Sequence, residues 1–270
     1  MEGLSGVKSV SMETPWGNPS SNLVTGTLGE TRMVFLPRHG AGHIISPSEI
    51  NFRANIYAMK IMGVEWIISV SAVGSMKEEI EPGHILIPDQ FIDNTKGRPS
   101  TFFDGDLVAH VSMAEPVCSV LSSCIKEASI GFAGTVHSGG TYICIEGPQF
   151  STRAESHLYR EWGASVIGMT AMPEARLARE AEICYSVIAL STDYDCWNED
   201  HDDVKVSDII EIMNKNVDTA KKILAAVVQT IPEKRECPCT GALGCSIITS
   251  PEHVSEETRK MLEPIIKKYM

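Results

Sequence analysis

The sequence has no apolar run approaching the roughly 18 residues that a membrane span requires. Its opening, Met1-Glu2-Gly3-Leu4-Ser5-Gly6, carries no signal-peptide pattern, so the expectation is a cytoplasmic protein with no membrane partner. Basic charge is also scarce. Lys and Arg number 23 against 35 Asp and Glu, a net charge of −12 with no basic stripe, which excludes a general grip on nucleic-acid backbone. Any phosphate must therefore be held by a few local donors. The eight cysteines include no CxxC pair and no zinc-finger spacing, so most read as small apolar core residues, with Cys237-Pro238-Cys239 as the exception. What remains is an ordinary globular composition, 43% hydrophobic and 21% charged over 270 residues, enough to bury a core without disulfides.

Apolar runs alternate with amphipathic segments, the pattern of an α/β protein. Strands are expected at 32–37, 64–72, 85–92, 141–145, 165–169 and 183–191. Helices are expected at 47–62, 116–128, 153–162, 173–181 and 207–230. The last places Ile209, Ile210, Met213, Val217, Ile223, Leu224 and Val227 along one face. Thr152 and Glu155 have capping-box spacing, and Pro173 suits the first turn of the helix after it. The polar stretch 93–106 reads as a solvated loop. Beyond about 232 the pattern breaks into a Cys/Gly-rich stretch and a polar helix candidate, 255–269, so the division is a main domain, 1–235, with a C-terminal appendage, 236–270.

Four strand ends run into small or polar residues, where α/β proteins gather ligands. Pro37-Arg38-His39-Gly40 offers a guanidinium fork beside a glycine, an anion site or else a surface turn. Ser71-Ala72-Val73-Gly74-Ser75 either cradles phosphate with backbone N–H groups or permits close packing. Phe150, in Glu146-Gly147-Pro148-Gln149-Phe150, either stacks on a flat ligand or fills the core under a turn. Asp193-Tyr194-Asp195 puts two carboxylates after an apolar strand; near a heterocycle such a pair can accept from an exocyclic amine and donate to a ring nitrogen if one pKa is raised. Helix capping and a metal site are the alternatives.

In order along the chain, Pro37-Arg38-His39-Gly40, Ile50-Asn51-Phe52-Arg53-Ala54-Asn55-Ile56, Ser71-Ala72-Val73-Gly74-Ser75, Pro88-Asp89-Gln90-Phe91-Ile92-Asp93, His110-Val111-Ser112-Met113-Ala114-Glu115-Pro116, Glu146-Gly147-Pro148 through Glu155-Ser156, Gly168-Met169-Thr170 and Thr192-Asp193-Tyr194-Asp195 resemble the methylthioadenosine phosphorylase family. The match runs nearly continuously from Thr14 to about Pro232, and Gly140-Thr141-Tyr142-Ile143-Cys144-Ile145-Glu146 with the CxC tail resembles the archaeal type more than the animal type.

The resemblance implies a single-domain α/β phosphorylase fold, a central mixed sheet partly curled into a barrel and flanked by helices. It implies phosphorolysis of 5′-methylthioadenosine, with purine nucleoside and inorganic phosphate as the partners and neither metal nor organic cofactor. A broader purine nucleoside phosphorylase, or a nucleoside-binding protein of the same fold without turnover, is the alternative. By the resemblance Arg38, His39, Ser71, Ala72 and Thr170 bind phosphate. Phe150 and Met169 lie against the nucleoside, Asp193 and Asp195 act at the base, Val206 and Ile209 line the 5′ pocket, and His110 is lent by a neighbouring subunit of a trimer or hexamer. Gln149 and Ala41 stand where the family commonly has basic residues.

Two further expectations come from the resemblance. Heat-adapted relatives suggest a Cys237–Cys239 disulfide, and Cys144 pairing with Cys184 across adjacent strands is a second candidate, with free thiols the alternative. Relatives also open with an apolar strand and a Gly-rich loop whose hydroxyl holds phosphate. Here Gly3-Leu4-Ser5-Gly6 is the only Gly-containing stretch ahead of Thr14-Pro15-Trp16-Gly17, so phosphate is expected to be held by Arg38, His39, Ala72 and Thr170 with a KM raised roughly ten- to a hundredfold.

Overall fold

The computed structural model describes residues 1–132, 134–198 and 206–270, apart from the side chains of 206–211 and 213–215. Two strands form its axis. β4 (Trp66–Ser75) and β10 (Cys184–Tyr194) pair in parallel along nearly their whole length. Every residue of β10 up to Thr192 is buried, as expected of a strand covered on both faces. Its side chains alternate. Tyr185, Val187 and Ala189 enter the core shared by α1 (Phe52–Ile61), α4 (Glu174–Glu180) and α6 (Glu256–Ile266). Cys184, Ile188 and Leu190 enter the opposite core, with α2 (Ser119–Ser129) and α5 (Val206–Val227).

Around this axis runs a seven-stranded mixed sheet, in the order β6 (Gln90–Asn94), β8 (Thr141–Ile145), β9 (Ala164–Gly168), β4, β10, β5 (Ile85–Ile87), β7 (Val136–Ser138). The edges β6 and β7 are not paired with each other among the described residues. A second, antiparallel sheet is built from β1 (Ser5–Val10), β2 (Leu23–Leu28) and β3 (Thr31–Phe35). The capping box foreseen at Thr152 opens α3 (Arg153–Glu161): the Thr152 hydroxyl accepts from Glu155 N–H, and the Glu155 carboxylate accepts from Thr152 N–H. The mixed α/β sheet flanked by helices is the expected class of fold.

Several expectations need correction. The single strand at 85–92 is two, because Pro88-Asp89 breaks it and sends β5 beside β10 and β6 to the far edge. The helix at 47–62 is a 3₁₀ turn, Pro47–Glu49, followed by α1, whose Asn51 cap accepts from Ala54 N–H. β1, β2 and β7 escaped notice because they are short and carry little apolar alternation. The 93–106 stretch is not a solvated loop: Phe102 is fully buried, Phe103 nearly so, and the Arg98 side chain is only 3% exposed. Leu243, Val254, Leu262, Ile265 and Ile266 of the C-terminal segment enter the same core as α1 and α4.

The eight cysteines are unbridged. Cys144 on β8 and Cys184 on β10 are separated by β9 and β4, so they do not pair; the Cys144 sulfur instead bonds the backbone of Met172. Among the described residues no helix is long and apolar enough to cross a membrane.

Candidate active site

The strand ends converge on one cleft of about 810 Å³. Its walls include Arg38, His39, Ser71, Ala72, Phe150, Met169, Thr170, Asp193 and Asp195, so nine residues singled out from five separate segments share one opening. Ala72 shows how the cleft is made. It lies in the middle of a central strand yet is exposed, because nothing packs over its methyl there. Phe150 is 60% exposed, which excludes the reading of a core Phe and leaves a ring face open to the cleft.

Arg38 follows β3, and its guanidinium is tightly held. Nη1 donates to Ser69 Oγ at 2.6 Å and to Glu174 Oε1 at 2.8 Å, while Nη2 donates to the Val70 carbonyl at 2.6 Å. A guanidinium has five N–H groups. These three bonds leave Nε–H and one N–H on Nη2, an edge whose fork matches two oxygens of an oxyanion. Burial opposes the Arg38 charge, but the Glu174 carboxylate together with Tyr185 and Tyr142 outweighs it and the pKa is raised. Glu174 is fixed in turn by the Tyr185 hydroxyl at 2.9 Å. The next residue, His39, bonds the Ile45 carbonyl through Nδ1 at 2.9 Å and stacks on His43. Desolvation lowers its pKa, which keeps the ring neutral near pH 7.

Ser71 and Thr170 are buried at the cleft floor. The Ser71 hydroxyl lies 3.2 Å from that of Tyr142, a fully buried side chain reaching across from β8. Gly168, before Met169, makes room for it: a Cβ there would lie 2.0 Å from the Tyr142 oxygen. The strand end carrying Met169 and Thr170 is further pinned by Arg98, whose Nη1 donates to the Met169 and Met172 carbonyls at 2.8 and 2.9 Å.

At the other end, the β4–β10 register shifts between Ser191 and Asp193, so Asp193 lies opposite Gly74. Such a bulge re-aims side chains. The Thr192 hydroxyl sits 2.6 Å from Asp193 Oδ1 and 3.2 Å from the Val73 carbonyl. A hydroxyl has one proton. It is shared between the two acceptors, and its donation to Asp193 Oδ1 offsets part of the pKa rise that burial causes. Burial, reinforced by the Asp195 charge, raises the Asp193 pKa to about 6. Asp195 is also buried and raised, but its Oδ2 accepts from Ser156 Oγ at 2.5 Å, which offsets part of the desolvation. The two carboxyls are therefore unlike, one poised near neutrality and the other held by a donor.

His110 is not in the cleft. It is exposed, and its N–H donates to the Ser246 carbonyl at 2.8 Å. Val206 and Ile209 belong to the first turns of α5, and their side chains lie outside the described residues. Glu174 and Arg98 escaped the reading of the sequence, whereas Tyr142, Ser156 and Thr192 lie in stretches that match the family but drew no role there. A carboxylate in the first turn of an apolar helix was the available signal for Glu174, and the Phe102-Phe103 pair for a packed loop around Arg98.

Comparison with known proteins places this geometry. Residues 3–229 match the family model described as "Phosphorylase superfamily". The S-methyl-5′-thioadenosine phosphorylase of Geobacter sulfurreducens is 59% identical over 100% of this chain and 95% of the relative. A crystal structure of methylthioadenosine phosphorylase sourced from an antarctic soil metagenomic library superposes with a TM-score of 0.94 at 46% identity, covering 98% of this chain and 94% of that one. A mutant of the adenosine/methylthioadenosine phosphorylase from Schistosoma mansoni, in complex with methylthioadenosine, superposes with a TM-score of 0.78 at 37% identity, covering 85% of this chain and 86% of that one.

Proposed function

The chain belongs to the phosphorylase superfamily, and from that premise we propose that it is a pentosyltransferase that splits 5′-methylthioadenosine with inorganic phosphate into adenine and 5-methylthioribose 1-phosphate. The observation that carries this reading is the meeting, in one cleft, of the Asp193/Asp195 pair with Arg38, whose Nε–H and second Nη2–H make no hydrogen bond among the described residues. The relatives named for this activity support it.

The chemistry follows from the placement. The bond from C1′ to N9 breaks with its electrons passing to the purine, leaving an oxocarbenium-like sugar. Phosphate held by Arg38, His39, Ser71, Ala72 and Thr170 stabilises that cation and then forms the new bond from oxygen to C1′. Asp193, in its acid form, gives its proton to N7 of the departing base. The proton that phosphate loses on becoming an ester returns to Asp193 through solvent. Asp195 accepts from the exocyclic amine, and the open face of Phe150 and the Met169 side chain flank the nucleoside. A 6-oxopurine turns an acceptor toward Asp195, a contact costing roughly 2–4 kcal/mol. Val206 and Ile209, both apolar, suit a methylthio group, and each buried methylene equivalent contributes about 0.8 kcal/mol, so adenosine should be disfavoured only roughly tenfold. Release of adenine that depends strictly on phosphate is the decisive assay. Equal or better kcat/KM on inosine would sink the proposal.

The pH profile is a separate expectation. Asp193 is raised to about 6, so its acid form dominates below that pH and is lost above it. At saturating phosphate, kcat/KM for the nucleoside should therefore fall as pH rises through about 6. A profile flat from pH 5 to about 8 would remove Asp193 from the acid role.

His110 is exposed and away from the cleft, which supports an assembly in which a neighbouring subunit lends it, a trimer or two stacked trimers. Light scattering should then show an oligomer, and a fully active monomer would contradict it.

A further inference from the structure

Far from the cleft, four cysteines from three parts of the chain meet in the interior. Cys118 precedes α2, Cys184 begins β10, and Cys237 and Cys239 come from the C-terminal segment. All four are buried, and their sulfurs lie within 4.8 Å of one another, with Cys184 and Cys237 at 3.2 Å. A tetrahedral zinc–thiolate centre with bonds of about 2.3 Å separates its sulfurs by about 3.8 Å, so these four are gathered at nearly the spacing such a centre requires.

We propose that Cys118, Cys184, Cys237 and Cys239 form a closed, structural site for one zinc ion. The remaining cysteines offer a contrast. Cys144 is equally buried but bonds only backbone, and Cys245 is exposed.

Binding replaces four S–H protons by one divalent ion, releasing up to four protons and leaving a net charge of −2 in a cluster otherwise lined by Leu121, Ile125, Ile188 and Ala220. That charge needs donors, and the surroundings supply them. Arg179 Nη1 lies 3.5 Å from the Cys239 sulfur, and Cys118 is the N-cap residue of α2, beside the N-terminal end of that helix. A guanidinium and a helix N-terminus both favour anionic sulfur. Neither gains anything from a neutral disulfide. Four mutually close sulfurs, rather than two separated pairs, likewise suit a single ion. Thiolates select zinc among the common divalent ions, and the absence of an open coordination position makes the site structural rather than catalytic.

Its mechanical consequence follows from connectivity. The ion would tie the C-terminal segment to the start of β10, the strand that carries Asp193 at its other end. It would also tie that segment, through Arg179, to α4, whose first residue Glu174 holds Arg38.

The test uses the whole chain, purified without chelator or reducing metal scavenger. Elemental analysis should find about one zinc per chain, and replacement by Co²⁺ should give the intense thiolate-to-cobalt absorption and visible bands of a tetrahedral sulfur site. Removing the ion with a strong chelator should lower Tm by about 5–15 °C, and returning Zn²⁺ should restore it. Cys237→Ser should lose the ion, whereas Cys245→Ser should keep it. Should Cys237→Ser fail to fold, the Cys245→Ser protein and the wild-type cobalt spectrum still decide. Less than about 0.1 ion per chain after incubation with Zn²⁺, without a cobalt–thiolate band, would overturn the site. So would mass spectrometry showing these cysteines joined in disulfides in the native protein.

Discussion

Asp193→Asn is expected to lower kcat by about 10²–10⁴-fold while the nucleoside KM stays within a few-fold. The substitution is nearly isosteric. An amide at this position keeps the 2.6 Å contact with the Thr192 hydroxyl and can still donate a hydrogen bond to a purine nitrogen. What it cannot do is give a proton away, and that loss is felt only as the leaving base gathers charge. The folded protein should not suffer, since burial already disfavours ionised Asp193. Two controls separate proton donation from mere contact. The fall of kcat/KM above pH about 6 should vanish in the mutant. A substrate whose leaving group departs without protonation should be cleaved by both proteins at similar rates. Steady-state kinetics giving a mutant kcat within about threefold of the parent would remove Asp193 from the acid role.

Much of the site was legible because it is made of strand ends. The run Thr141–Ile145 reads as a strand and is one, and Arg38, Ala72, Phe150 and Asp193 each follow or close an apolar run whose direction the fold then sets. What local sequence cannot supply is the partner that gives each group its character. Glu174 is 136 positions from Arg38, and Tyr142 is 71 from Ser71. Ser156, which makes Asp195 unlike Asp193, comes from a helix face that reads simply as polar. The 93–106 stretch misled for a related reason. Its charges look solvated, but Arg98 is buried by carbonyls that only the folded turn after β9 presents to it. The four-cysteine cluster shows no motif spacing because its members are brought together by packing of the tail against β10.

Arg38 offers the other large effect, because its two sets of bonds can be separated. Arg38→Lys retains a cation for Glu174 but loses the two-pronged edge formed by Nε and Nη2, so phosphate KM should rise by about 10²-fold with a smaller change in kcat. Arg38→Ala should do more than that. It strands a carboxylate whose side chain is 9% exposed beside a buried tyrosine, and removing one partner of a buried ion pair costs about 3–5 kcal/mol. The double variant Arg38→Met with Glu174→Gln removes both charges, and the Tyr185 hydroxyl can still donate to the amide oxygen. Its Tm should recover most of what Arg38→Ala loses, while phosphate binding stays as weak as in the alanine variant. Calorimetry measured beside phosphate-dependent initial rates resolves the two roles. If the double variant regained phosphate affinity along with stability, Arg38 would be a strut for α4 and not the anchor of the anion.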